Sequence, residues 1–327
     1  MKKAFFINGG IGRVLCAIPA LEYYVQNTDP DAVIVVEAWL DLFLLSPVLK
    51  DNVYPVNHKG LFKDKLLDKQ LVTVEPYRLN EYFTQKVNLI QAFDMIINDL
   101  VDIPETKELN ISLGKADEIV GFNLNNQIRN QLGKEKTVVF QPFGSGARLE
   151  GSIIIDESGR SFEQRDVIRI IEELSQDYCV IVMSSFKIPY EFSQRVAHPE
   201  NVSILQWAGI IEAADYFLGC DSIGQHYANA LGKKATVVIG ATFPENISYP
   251  NNPDFNIIDN GKGLRSYSPI RISQDIFTDR ANESLMLLSD ETISNIIEAV
   301  KQGAGPSKKF QPVQQQQEPT QNTCCSR

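Results

Sequence analysis

Ala4-Phe5-Phe6-Ile7-Asn8-Gly9-Gly10-Ile11-Gly12-Arg13 is a short apolar run that breaks into a turn rich in residues tolerating unusual dihedrals. The pattern returns in Thr137-Val138-Val139-Phe140-Gln141-Pro142-Phe143-Gly144-Ser145-Gly146. Each stretch reads as a first strand followed by a glycine-bearing loop. After the first, Val14, Leu15, Ile18 and Leu21 recur at helical spacing, with Pro19 limiting where that helix begins or kinking it. Buried strands are then predicted at 32–36, 53–56 and 71–74, with Glu37 and Glu75 standing just past two of them. Alternation of this kind is the pattern of a parallel sheet covered on both faces.

Helical, polar sequence fills roughly 80 to 132, and Gly133-Lys134-Glu135-Lys136 marks a domain boundary. The second unit continues with a helix at 165–174, strands at 179–183 and 216–219, a helix at 225–231 and a strand at 236–239. Residues 150–159 resemble a hairpin insertion with its turn at Glu157-Ser158-Gly159. Ser289-Asp290-Glu291 opens a last helix, with a hydroxyl cap and carboxylates that complement its dipole. From 304 to 327 the composition turns to Gly, Pro, Ser and Gln and reads as a disordered tail. The expectation is an α/β protein of two facing doubly wound units, 1–133 and 134–303. Ligands of such sheets bind beyond the carboxyl ends of the strands, so an interdomain cleft is expected.

Composition agrees. The chain has 327 residues, 43% hydrophobic and 22% charged, which suits two packed cores and excludes collagen-like, coiled-coil and wholly disordered classes. Its 31 Lys and Arg against 41 Asp and Glu give a net charge of -10, which argues against an overall basic polyanion binder but not against a local basic cleft. Five cysteines (16, 179, 220, 324, 325) lack framework spacing, and three lie in apolar surroundings that suit a reducing compartment. Three histidines without a Cys-x-x-Cys leave little for a metal, and none is predicted. The opening apolar run dies at Asn8 with no cleavage site, and no stretch of about 18 apolar residues follows. A cytoplasmic protein with no membrane span is expected.

The loop at 8–13 offers backbone N–H groups around Gly10 and the Arg13 guanidinium, a natural place for an anion. The plain alternative is a tight turn with a solvent-facing arginine. Gly144-Ser145-Gly146 with Arg148 and Arg160-Ser161 repeats the theme. Planar arginine forks near a Gly-rich loop suit a diphosphate, or they are ordinary surface arginines. Gly219-Cys220-Asp221-Ser222-Ile223-Gly224-Gln225-His226 runs from a strand into a helix start, where Ser222, first-turn N–H groups and His226 can hold a phosphate. Alternatively, Asp221 or Ser222 merely caps the helix beside a satisfied histidine. Asp29-Pro30-Asp31 reads as a plain turn, and Cys324-Cys325-Ser326-Arg327 as tail thiols rather than a prenylation box. No Ser/His/Asp arrangement for nucleophilic hydrolysis can be named.

Together these segments resemble the heptosyltransferase-like family of GT-B glycosyltransferases (family nine) over most of 1–300. Gly-Ile-Gly-Arg-Val-Leu-x-x-Ile-Pro-Ala-Leu at 10–21 is similar to the family's Gly-Asp-x-x-x-x-x-Pro-Ala-Leu opening. Residues 35–37 with 46–53 are similar to its second strand and the following segment. Cys220-Asp221-Ser222 through His226, Ala230-Leu231-Gly232 and Gly240-Ala241-Thr242-x-Pro244 are similar to its Asp-Thr-Gly-x-x-His…Ala-Leu-Gly…Gly-x-Thr-x-Pro signature. The resemblance implies a GT-B fold with an acceptor-side first domain and a nucleotide-sugar-binding second one. It implies inverting sugar transfer from a nucleotide-diphosphate sugar to a hydroxyl, without metal or other cofactor. Ser145, Arg160, Asp221, Ser222 and His226 inherit the phosphate and donor side, and Gly10 and Arg13 an acceptor or phosphate role.

One departure stands out. Arg13 occupies the place of the family's general-base Asp, and an arginine takes no proton at neutral pH. Glu75 and Glu37, ending strands on the cleft side, are the replacement bases. Expected partners are a nucleotide sugar and an acceptor that is a saccharide, a glycolipid or hydroxymethylated DNA. For DNA, Lys59, Lys63, Lys65, Lys69 and Arg78 would form the basic patch, or a solvated surface. A non-catalytic nucleotide-sugar-binding protein and a nucleotide-dependent epimerase are the other readings.

Overall fold

The computed structural model describes residues 2–156, 158–265 and 283–308. Strand β1 (Lys3–Ile7) leads through the glycine loop into α1 (Ile11–Asn27), then β2 (Val33–Val36), α2 (Leu40–Leu44) and β3 (Val53–Pro55). A π-helical turn at Leu61–Leu66 returns the chain to β4 (Gln70–Thr73), a 3-10 turn (Pro76–Arg78), α3 (Asn80–Phe83) and α4 (Leu89–Ile97). All four strands run parallel in the order β3-β2-β1-β4. Strand β2 is wholly buried, which is why its sequence is unbroken Val-Ile-Val-Val rather than alternating. Helix α1 passes through the buried Pro19 without ending, so proline does not set its start.

The second half repeats the plan. After α5 (Lys115–Leu132) come β5 (Thr137–Gln141), the hairpin β6 (Arg148–Glu150) and β7 (Ile153–Ile155), α6 (Gln164–Asp177) and β8 (Cys179–Val182). Then follow α7 (Ile204–Ala213), β9 (Tyr216–Cys220), α8 (Ile223–Ala230), β10 (Ala235–Ile239), α9 (Pro244–Ile247), β11 (Phe255–Asp259), a 3-10 turn (Glu283–Met286) and α10 (Asp290–Ala304). The five main strands are parallel in the order β11-β10-β9-β5-β8. In each sheet the chain reverses its direction of winding beside the first strand, between β1 and β4 and between β5 and β9. Those are the two topological switch points, and in doubly wound sheets ligands bind beyond the carboxyl edge at such points.

Apolar packing joins the halves. One buried cluster runs from Phe5, Ile7 and Leu15 of the first unit to Phe217, Tyr227 and Val237 of the second. The other face of the second sheet packs Val138, Phe140 and Val180 against Ile170, Leu174 and Ile296. Helix α5, which ends at Gly133, packs on α7 and β8 of the second unit. Asn246 of α9 donates both amide hydrogens across the halves, to the Tyr82 and Val87 carbonyls, each at 2.9 Å.

Three local expectations are corrected. The helical stretch 80–132 is broken: 98–114 is irregular, and its Pro104 carbonyl and Thr106 hydroxyl accept hydrogen bonds from Gln91 (2.7 Å) and Asn88 (2.8 Å). Proline lacks the N–H a helix needs there, and Asp99 sits at φ 54°, outside helical space. The hairpin turns at Gly151-Ser152 instead of 157–159, because Gly151 supplies the positive φ (64°) a two-residue loop uses. Glu157 lies outside the described residues. Residues 305–308 are held to the second unit, with Tyr178 donating to the Gly305 carbonyl (2.9 Å) and the Glu135 N–H to the Lys308 carbonyl (2.9 Å). The rest of the expected tail, 309–327 with Cys324 and Cys325, lies outside the described residues. Among the described residues no helix is long and apolar enough to cross a membrane.

Candidate functional site

At the carboxyl edge of the first sheet, Gly9 adopts φ 95°, and a Cβ there would lie 2.9 Å from Arg13 Cδ. The bare glycine lets the Arg13 side chain fold back beneath the loop. Arg13 is 4% exposed, so it is not solvent-facing. Its Nη2 donates to the Val74 carbonyl at 2.8 Å and its Nη1 to Glu75 Oε2 at 3.3 Å. The guanidinium stacks 5.1 Å from the Tyr77 ring centre. Glu75 Oε1 in turn accepts the Tyr77 N–H at 3.4 Å, capping the 3-10 turn. Two residues read separately from sequence, an anion ligand and a base, are therefore one ion pair. Glu37 is exposed at the end of β2, on the side of β1 away from the switch point. Gly10 is exposed at the N-cap of α1 with open space before it, and the Gly9 carbonyl accepts the Trp39 indole N–H at 3.1 Å.

Opposite, the second sheet presents two loops. Gly144 donates its N–H to Ser161 Oγ (2.9 Å), and Ser161 donates to Asp156. The Ser158 N–H also reaches Asp156, at 2.8 Å. Burial would raise the Asp156 pKa, but the hydroxyls of Ser161 and Ser158 and the nearby Arg160 outweigh it and hold the carboxyl low. Asp156 thus ties the glycine loop to the hairpin end and was not read from the sequence. Ser145 is exposed at the loop tip. Arg160 donates Nε–H to Ser158 Oγ at 3.3 Å, with its guanidinium against Gly144. Burial alone would lower its pKa, yet the surrounding negative groups, Asp221 first, keep it raised, and Tyr77 of the first unit is among its electrostatic neighbours. So Arg160 stands where the two units meet.

Asp221 is buried at the end of β9, accepting Thr242 Oγ1–H at 2.8 Å and the Gln225 amide at 3.2 Å. Burial pushes its pKa up, opposed by the Arg160 charge and by those two donors. Ser222 is the N-cap residue of α8, but its hydroxyl caps no helix N–H. It accepts instead from the Gln141 amide nitrogen at 3.0 Å, while Gln141 Oε1 accepts the Gly224 N–H at 2.8 Å. Gln141 was missed because a polar residue closing an apolar strand does not announce its partner 81 positions on.

His226 shares that helix yet turns into the domain interface. Its Nδ1 and the Tyr249 hydroxyl are hydrogen-bonded at 2.7 Å, with Cys16 Sγ of α1 at 3.6 Å. Burial, then the Arg160 charge, lowers its pKa to about 4, so the ring is neutral at pH 7. Burial also lifts the Cys16 thiol to about 12. His198 bonds the Phe186 carbonyl and His58 packs on Tyr54, both away from these loops. Two of the lysines at the expected basic edge are engaged elsewhere: Lys65 covers Tyr54, and Lys69 reaches the Asp31 carbonyl at the amino edge. Asp31 there pairs with Lys2 at 2.5 Å, as suits a plain turn.

No protein-family model matches the chain, and no curated protein matches it in sequence. Solved structures do. The ADP-heptose lipopolysaccharide heptosyltransferase II of E. coli superposes with a TM-score of 0.60 at 13% identity, covering 93% of this chain and 98% of that one. A family 9 glycosyl transferase from Veillonella parvula gives 0.58 at 9% identity, over 92% and 97%. The E. coli heptosyltransferase WaaC with ADP gives 0.51 at 13% identity, over 93% and 99%. Two parallel sheets, each with its switch-point loops turned toward the other unit, give this chain the GT-B fold in the form taken by the heptosyltransferases of glycosyltransferase family nine.

Proposed function

We propose that the chain is a glycosyltransferase that moves a sugar from a nucleotide-diphosphate sugar to an acceptor hydroxyl, with inversion and without a metal. The observation that carries this reading is the half-buried Arg160 guanidinium, held against Gly144 and by Ser158 at the second unit's switch point, with Asp221 and Tyr77 of the first unit among its electrostatic neighbours. A fixed cation in a site with little water is worth far more to a departing diphosphate than one in solvent. The exposed loop around Ser145 and the Ser222 hydroxyl lie on the same edge and complete the donor side.

The acceptor approaches from the first unit. As its oxygen bonds to the anomeric carbon, the bond to the diphosphate oxygen breaks, the nucleoside diphosphate leaves, and the hydroxyl proton passes to a base. Glu75 is that base. It stands at the β1/β4 switch point, and Arg13 and the Tyr77 N–H fix its orientation while each oxygen keeps a lone pair. Glu37 is the weaker candidate because it lies across β1 from the switch. Gly10 and the α1 N-terminus border the acceptor, and closure of the two units excludes water. A saccharide or glycolipid suits the site better than DNA, since Lys65 and Lys69 are engaged elsewhere.

The test is a panel of nucleotide sugars incubated with saccharide acceptors and, separately, hydroxymethylated DNA, with donor consumption and product mass followed. Consumption with saccharide supports the reading, and transfer to DNA would move the acceptor. A donor that binds without turnover would make the chain a binding protein, the reading in which Arg13 keeps Glu75 from acting.

A further inference from the structure

We propose that Gln141 is a positioning residue that turns the Ser222 hydroxyl outward as a hydrogen-bond donor to the diphosphate; this rests on the nucleotide-sugar reading above. Gln141 ends β5, directly beside β9, and is 6% exposed. Its amide bridges two atoms of α8. A backbone N–H can only donate, so the Gln141 atom 2.8 Å from the Gly224 nitrogen must be the oxygen. That settles the amide orientation. The nitrogen then faces Ser222 Oγ at 3.0 Å, and Ser222 must accept.

A hydroxyl has one hydrogen. With Gln141 donating to its oxygen, the Ser222 hydroxyl makes no other hydrogen bond among the described residues, although it stands at an N-cap where its oxygen would ordinarily serve its own helix. The half-buried side chain therefore keeps its hydrogen for the cleft side, in front of the positive end of the α8 dipole. Gly224 makes the arrangement possible, since a Cβ there would lie 2.5 Å from Gln141 Oε1. The same bond occupies the Gly224 N–H, so an incoming phosphate meets the serine hydroxyl in place of that backbone donor.

The test compares nucleoside diphosphate and nucleoside binding by calorimetry, using whichever of ADP, UDP, GDP and CDP binds the wild type best. In Gln141→Glu the carboxylate accepts from both Gly224 and Ser222 and draws the hydroxyl hydrogen inward. Diphosphate binding is expected to weaken at least tenfold, with nucleoside binding unchanged. In a Ser222→Ala background, with no hydroxyl to turn, the same change is expected to cost less than threefold. Equal losses in both backgrounds would reduce the effect to added charge and overturn the proposal. Gln141→Leu, which removes the amide without adding charge, serves if the glutamate variant does not fold. It is expected to weaken the diphosphate several-fold with the nucleoside unaffected, and no change would overturn the proposal. A wild type that binds no nucleoside diphosphate, or binds it no better than the nucleoside, defeats the donor reading itself and the proposal with it.

Discussion

Arg13 and Glu75, 62 positions apart, form an ion pair at 3.3 Å at the carboxyl edge of the first sheet, with side-chain exposures of 3% and 13%. The guanidinium spends its second nitrogen on the Val74 carbonyl and its face on Tyr77, so one side chain ties the glycine loop to the end of β4. A charge buried to this degree is tolerable only while its partner is present.

Arg13→Met leaves Glu75 in a half-dry site without a cation. We expect a loss of about 3 kcal/mol in urea unfolding, with the Arg13→Met/Glu75→Gln double variant recovering much of it. Arg13→Lys does not restore the wild type, because a single ammonium cannot serve the carboxylate and the carbonyl in a fixed fork. Additive losses in the double variant would show that the two residues are not coupled.

Glu75→Gln keeps the shape and removes the basic oxygen. If Glu75 takes the acceptor proton, sugar transfer falls by about 100-fold or more while donor affinity stays within twofold. Glu37→Gln, exposed and off the switch point, is expected to transfer at close to the wild-type rate. The reverse ranking would move the base to Glu37.

His226 makes stability depend on pH in a definite direction. Its folded pKa, near 4, lies below the ordinary 6.5 because the ring is buried. Between those values the unfolded chain binds a proton that the native protein does not. Stability from this group is complete above pH 6.5 and is lost as pH falls toward 4. From pH 7 to pH 5 the difference is on the order of 2 kcal/mol. Urea unfolding of wild type and His226→Gln at both values checks it: the wild type loses more on acidification by that amount. Parallel losses would place the His226 pKa near its ordinary value.

The strands were legible because parallel sheets bury both faces and write unbroken apolar runs, as in β2, β5 and β10. The Ser289 cap was legible for a local reason, its hydroxyl accepting the Thr292 N–H at 3.0 Å. Helix α7 was not read, although Ser203 and Gln206 form a capping box that marks its start three residues apart. Asp221 and Ser222, the proposed donor-side residues, were read from their strand-to-helix setting, but their partners were not. Gln141 reaches Ser222 and Arg13 reaches Glu75 only through the sheet order, and no local pattern encodes which loops a parallel sheet brings together. The direction in which Arg13 folds depends on Gly9 lacking a Cβ and on an acceptor more than 60 residues away.

Helices α5 and α7 cross with Gly121 against Gly209, and each glycine abuts the other helix's backbone: the carbonyl of Gly209 on one side and of Asp117 on the other. Added carbon at either point meets backbone, which cannot swing aside. Gly121→Ala or Gly209→Ala should therefore cost about 3 kcal/mol. Glycine to alanine in an open helix would instead stabilise by up to about 1 kcal/mol. Differential scanning calorimetry separates the two signs, and a raised Tm in either variant would mean the helices stand further apart.

Gly12 provides a second such contact, across the domain interface. A Cβ on it would come 2.7 Å from His226 Cδ2 and 3.0 Å from Nε2, so the imidazole occupies the space that alanine would need. Since Gly12 lies in the first turn of α1, Gly12→Ala would gain helix propensity and lose the fit to His226 at once. The loss is expected to dominate, at about 1–3 kcal/mol, because the ring is pinned by Tyr249 and cannot retreat freely. The sign should reverse when the ring is removed: in a His226→Ala background, Gly12→Ala becomes neutral or stabilising. Unfolding midpoints of the four proteins complete the cycle. A penalty that persists without the imidazole would mean that Gly12 is required by the loop itself and not by the opposite domain.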